Sequence, residues 1–315
     1  MISCSPDDLI LSASCYRCIP SGMQDSVASY LMCQWANASP TPVPPVTCQN
    51  DTVDNWVSRV VLNGGSAPSD NTKNALCMFM NSLDSEGITP KIKAMCCLVP
   101  DNLIAAVTPL IVGLGADPWT NHNFVDADLT IDGLKGNGIN KYLTIGLAPS
   151  LNFSATSAGV TIYVTQIDLS FDALEVGASD NVNQLIMLCT RDSGSKYIDW
   201  DCFNNTLGAG RIHVINPGGF LGYYSGNRTA ANATAIYLAN SSTPHYVAAS
   251  AATSGGSPGA RVLTAFVLNS SSGLAGYSRQ RLSFIAAHSG LTESESAVFN
   301  GLIYKMRHDI GGGYV

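Results

Sequence analysis

At 315 residues and 33.1 kDa, the chain is long enough to bury one large core or two moderate ones. An apolar share of 46% argues against disorder, whereas a charged share of 12%, half the ~25% of ordinary soluble domains, demands a surface of Ser, Thr, Asn and Gly or one buried against other subunits. The net charge of −7 argues against a partner recognised through its phosphates, so no nucleic acid is expected.

The N-terminus places Asp7 and Asp8 where a secretory signal needs a basic region, so a cytosolic origin is expected. No run reaches the ~18 apolar residues of a membrane span. The best candidate, 103–114, is broken by Pro109 and Gly113. All the cysteines except Cys189 and Cys202 precede residue 100. Cys15 and Cys18 form a C-x-x-C that Cys33 and Cys48 could complete as a thiolate metal site, but a second C-x-x-C is missing. Buried, reduced thiols are therefore the favoured expectation, with no metal and no cofactor.

Up to about residue 110 the apolar period is helical. Met23, Val27, Tyr30, Leu31 and Trp35 share one face, and the prolines at 40, 42, 44 and 45 stop that helix. A second face runs through Val53, Trp56, Val57, Val60 and Val61. A third runs through Leu76, Phe79, Met80 and Leu83 behind a cap at Ser69. Thr89 and Pro90 predict another short helix through Ile92, Met95 and Cys96, and Asp101 predicts a cap for one through Leu103 and Val107.

From about residue 124 the pattern changes to short β-branched and aromatic runs, at 129–131, 142–145, 160–164, 185–188, 211–215, 235–238, 262–267 and 282–286. Turn signals such as Asp132-Gly133 separate them. This predicts an antiparallel sandwich or barrel. The tail reverts to helix, with a capping-box spacing from Thr292 to Glu295 and glycines at 311–313. The expected class is α+β: a helical region over 1–115, then a β-sandwich over 116–315 that ends in a short helix.

Leu129 to Gly146, LTIDGLKGNGINKYLTIG, resembles the opening hairpin of laminin-G-like, concanavalin-A-like jelly-roll modules. Arg281 to Asn300, RLSFIAAHSGLTESESAVFN, resembles their closing strand and following helix. With the segments from Cys15 to Pro20 and Tyr30 to Asn37 in front, the arrangement is similar to structural proteins of tailed bacteriophages. That resemblance implies a virion protein made in the host cytoplasm. It would be a homo-oligomer, a trimer favoured, docked on other virion proteins through its N-terminal region. A tail fibre is the first placement it implies, and a capsid decoration or head fibre the second.

Jelly rolls of this kind commonly hold glycans by stacking sugars on aromatic rings. Candidate residues are Tyr197, Trp200, Tyr223, Tyr224 and Asn227, the last three in a Gly-flanked run that reads as an exposed loop, although packing against the opposite sheet is the more frequent fate of such rings. Asp126, Asp128 and Asp132 lack the spacing of a calcium loop. No nucleophile elbow, phosphate loop or helical histidine pair is present, so no enzyme is expected. One alternative concerns Asp199 and Asp201, whose i, i+2 spacing would put both carboxylates on one strand face, as a polysaccharide depolymerase requires. A free carbohydrate-binding module is the other.

Overall fold

The computed structural model describes residues 48–168, 173–192, 197–204, 210–215, 220–240, 246–251 and 256–312. The helix expected at Met23–Trp35, the proline segment, and Cys15, Cys18 and Cys33 lie outside the described residues.

Helix α1 (Asp51–Leu62) starts where the Asn50 side chain accepts the backbone N–H groups of Thr52 and Val53, and it buries Val53, Trp56 and Val60. Helix α2 (Asp70–Ser85) starts at the expected Ser69 cap and buries Leu76, Phe79, Met80 and Leu83. A disulfide joins Cys48 to Cys77. This corrects the expectation of reduced thiols for that pair and removes Cys48 from any thiolate metal set, since its sulfur is already bonded. Cys96, Cys97, Cys189 and Cys202 are buried thiols. Helix α3 (Leu103–Val107) is capped by Asn102 and not by Asp101, whose carboxylate is occupied by the Ser69 amide and the Thr72 hydroxyl.

The helix expected after Pro90 does not form. A single 3-10 turn at Thr89–Lys91 leads into strand β1 (Ile92–Cys96). Ala94 and Cys96 enter one core while Ile92 and Met95 enter another. A strand buried on both faces has no polar alternation, so its apolar residues imitate helical spacing.

Two sheets follow. The first runs in the order β13 (Tyr246–Ala251), β12 (Ala233–Ala239), β11 (Gly222–Ala230), β6 (Ala158–Gln166), β17 (Arg281–His288), β4 (Gly133–Lys135) and β3 (Leu129–Thr130), with β1 also on β17. The second runs β10 (Ile212–Ile215), β9 (Tyr197–Cys202), β8 (Leu185–Asp192), β7 (Ala173–Ser179), β14 (Thr264–Ala265), β5 (Tyr142–Thr144) and β2 (Thr120–His122). Beside β7 lies the hairpin of β15 (Leu268–Ser270) and β16 (Gly273–Ala275), and β15 pairs with β7 in parallel. All other pairings between these described strands are antiparallel.

Between the sheets, Val160, Ile162, Val164, Tyr224 and Leu238 pack with Val176, Ile186, Leu188, Ile198 and Trp200. The outer face of the first sheet carries Tyr163, Tyr223, Tyr237 and Phe284, which pack with residues of α1, α2 and the C-terminal helix α4 (Glu293–Ile310). Phe284 meets Phe79 and Phe299 edge-on, with centroids 6.1 and 5.6 Å away. The capping box of α4 forms as expected between Thr292 and Glu295, and Gly311 (φ 106) closes the helix in the left-handed conformation. The protein is thus an antiparallel β-sandwich of jelly-roll class with helices over one sheet. From Cys48 onward it forms one compact unit, and the boundary expected at residue 115 falls inside it because β1 belongs to the first sheet.

Candidate ligand-binding site

Among the described residues, the helices that cover a sheet, α1, α2 and α4, pack on the first one. Along β9, Ile198, Trp200 and Cys202 point into the sandwich. Tyr197, Asp199 and Asp201 therefore take the opposite face, as strand alternation requires. Register then sets their neighbours: His213 lies opposite Asp199 on β10, and Cys189 lies opposite Asp199 on β8.

These side chains interlock. His213 Nδ1 donates to Asp199 Oδ1 at 2.6 Å. Arg211 Nε donates to Asp201 Oδ2 at 2.5 Å, and Asn204 Nδ2 donates to Asp201 Oδ1 at 3.1 Å. Arg211 Nη1 lies 3.7 Å from Asp199 Oδ2. Tyr197 tilts against His213 with ring centroids 5.2 Å apart. Both carboxylates are 2% exposed, so they sit in a poorly solvated environment that strengthens each contact. Burial raises the Asp199 carboxyl above its ordinary value, a shift that His213 and Arg211 oppose.

A cavity of about 310 Å³ opens beside this network. Asp199 and Arg211 line one side; Leu174, Met187, Cys189 and Ala275, from β8, β7 and the β15–β16 hairpin, line the other. Its size falls at the lower end of the range for small-molecule sites, about 300–1,000 Å³.

The residues expected to contact a sugar are mostly elsewhere. Trp200 is fully buried, and its indole N–H donates to Thr234 Oγ1 at 3.0 Å. The ring covers Gly226 on the facing sheet so closely that any Cβ there would stand 2.2 Å from it. Tyr223 and Tyr224 are also fully buried; the first bonds Ser296 and the second the Phe220 carbonyl. Asn227 is 1% exposed and accepts the Leu291 amide at 2.9 Å. The run expected as an exposed loop is strand β11, paired on both edges, which corrects the expected exposure of Tyr223, Tyr224 and Asn227; they are buried, as is Trp200 on β9. Only Tyr197 stays on the open face. Arg211 and His213 were not among the candidates; their i, i+2 spacing within a strand-like run was the available signal.

A second polar cluster is wholly internal. Thr161 Oγ1 bonds Ser225 Oγ at 2.7 Å and His288 Nε2 at 2.8 Å. Burial holds His288 neutral, with its pKa lowered to about 4. These groups satisfy one another inside the fold. Asp128 binds Lys141 Nζ at 2.5 Å and accepts the Val125 amide. Among the described residues no three His, Cys, Asp or Glu side chains are grouped to hold a metal ion, and no helix is long and apolar enough to cross a membrane.

No protein-family model and no curated protein matches the chain. Among solved structures it is similar to domain 4 of AbnA, an extracellular arabinanase from Geobacillus stearothermophilus solved in complex with arabinotriose. The identity is 14% over 67% of this chain and 98% of that one, with a TM-score of 0.43. It is also similar to domains LG4-5 of the mouse laminin α1 chain, at 12% identity over 56% of this chain and 44% of that one, with a TM-score of 0.31.

Proposed function

We propose that the chain is a non-enzymatic virion component of a tailed bacteriophage, a tail-fibre or similar appendage subunit, whose sandwich holds a host-surface saccharide. The observation that carries the binding reading is the cavity on the open sheet face, apolar on one side and hydrogen-bonding on the other. A sugar ring has the same two characters, C–H faces and hydroxyl edges. Placement on a virion is supported by the sequence resemblance and by the low charge of the chain, which suits a surface buried against other subunits.

Binding is favoured over hydrolysis by the state of the two carboxylates. A glycosidase pair must protonate a leaving oxygen with one acid and attack, or activate water, with the other. Asp201 is bound on both oxygens by Arg211 and Asn204, and Asp199 is held by His213.

Two measurements test the proposal together. Antibody against the chain should label the appendages of purified phage particles, and a glycan array should show saccharide binding that Asp199→Ala abolishes. Particles without the chain would overturn the virion assignment, and an array without hits would overturn the binding assignment. Polysaccharide cleavage that disappears in Asp201→Asn would replace binding with depolymerisation.

A further inference from the structure

We infer that the cavity selects an uncharged saccharide unit, gripped by a hydroxyl placed between Asp199 and Arg211. This inference rests on the saccharide-binding reading and names its ligand class. Asp199 Oδ2 and Arg211 Nη1 are 3.7 Å apart, an ion pair too wide for a hydrogen bond. Each group is fixed from behind, Asp199 by His213 at 2.6 Å and Arg211 by Asp201 at 2.5 Å. Neither has to be ordered when a ligand arrives, which removes part of the usual cost of binding.

The group that fits such a gap must give a hydrogen bond to a carboxylate and take one from a guanidinium. A hydroxyl does both. An ammonium only donates, and it would meet the guanidinium charge. A carboxylate only accepts, and it would meet Asp199. Like charges brought together in a poorly solvated site oppose binding, so the pair rejects amine-bearing and uronate-bearing sugars alike. Across the cavity, Leu174, Met187 and Ala275 offer an apolar wall to the C–H face of the same ring. The hydroxyl and the apolar wall together define a neutral hexose or pentose unit.

The test is an array of bacterial oligosaccharides in three classes, neutral, uronate-bearing and amine-bearing, probed with the full chain and followed by calorimetry on the strongest hit. Hits should fall in the neutral class, and Asp199→Asn and Arg211→Lys should each weaken the strongest by about tenfold or more. Asp199→Asn, which removes one negative charge, should also bring uronate-bearing sugars into the bound set. Because those substitutions disturb an interlocked network, Ala275→Phe fills the cavity from the hairpin without changing charge. It should abolish binding while thermal unfolding stays unchanged. Charged glycans among the strongest hits, or neutral hits indifferent to all three variants, would overturn the inference and leave saccharide binding standing. No hit in any class would overturn saccharide binding itself, and the inference with it.

Discussion

The outer faces of the two sheets start from the same strand alternation and finish differently. On the first, Tyr163, Tyr223, Tyr237 and Phe284 are covered by helices, and the Tyr223 hydroxyl is bonded inside the protein to Ser296. On the second, Tyr197, Asp199, Asp201, Arg211 and His213 interlock across neighbouring strands, and among the described residues none of those helices packs with them. The comparison separates two uses of a sheet. A face covered by helices contributes apolar burial and therefore stability. A face without those helices, with its charges already paired, contributes a fixed arrangement of donors and acceptors.

The largest effect should come from the covered face. Phe284→Ala removes an aromatic ring enclosed by Phe79 and Phe299, and should cost about 3–5 kcal/mol in chemical denaturation. On the open face, Ile215 is 67% exposed at the edge strand, and Ile215→Ser should change stability by no more than about 0.5 kcal/mol. Equal costs at the two sites would erase the distinction.

Between these extremes lies a buried acid on a central strand of the second sheet. Glu175 is the extra residue where β7 and β8 slip register, and it accepts the Thr190 amide at 2.7 Å and the Ser278 hydroxyl at 3.2 Å. Burial raises its carboxyl from 4.5 to about 8, so the folded protein holds this proton at neutral pH and the unfolded chain does not. Its contribution to stability is present below pH 4.5 and is lost as the pH rises through 8. Glu175→Gln should therefore raise stability at pH 7 by up to about 3 kcal/mol, measured by denaturation across a pH series. His288 works in the opposite direction. Its pKa falls from 6.5 to about 4 on folding, so its contribution is present above pH 6.5 and is lost as the pH falls through 4. In the Glu175→Gln protein that acid-side loss should stand out, whereas in the wild type the two slopes oppose each other between pH 4.5 and 6.5. A Glu175→Gln protein with unchanged pH dependence would show that the carboxyl is ionised in the fold.

Much of this architecture was legible in the order of residues. The caps at Ser69 and Thr292, the helical faces of α1 and α2, and the strands around Val160 and Leu282 all follow from local periodicity and capping. Strand β11 was not legible, because Ser225 and Asn227 are polar on a face that turns out to be buried. Their partners, Thr161, Leu291 and each other, are remote or themselves polar, and a single strand cannot announce a network closed by another. The site was half legible for a similar reason. The spacing of Asp199 and Asp201 gave their common face, and the same alternation sends Trp200 to the other side, away from any ligand they share. What the spacing lacked was the pairing of β9 with β10, which delivers His213 opposite Asp199.

The assignment of ligand binding to the open face is tested most directly by amide hydrogen exchange with the neutral oligosaccharide that binds most tightly. Bound sugar should slow exchange in 185–191, 197–202 and 211–215, and leave 158–166 and the helices unchanged. Protection concentrated at α2, α4 or the first sheet, with 197–202 unaffected, would contradict it.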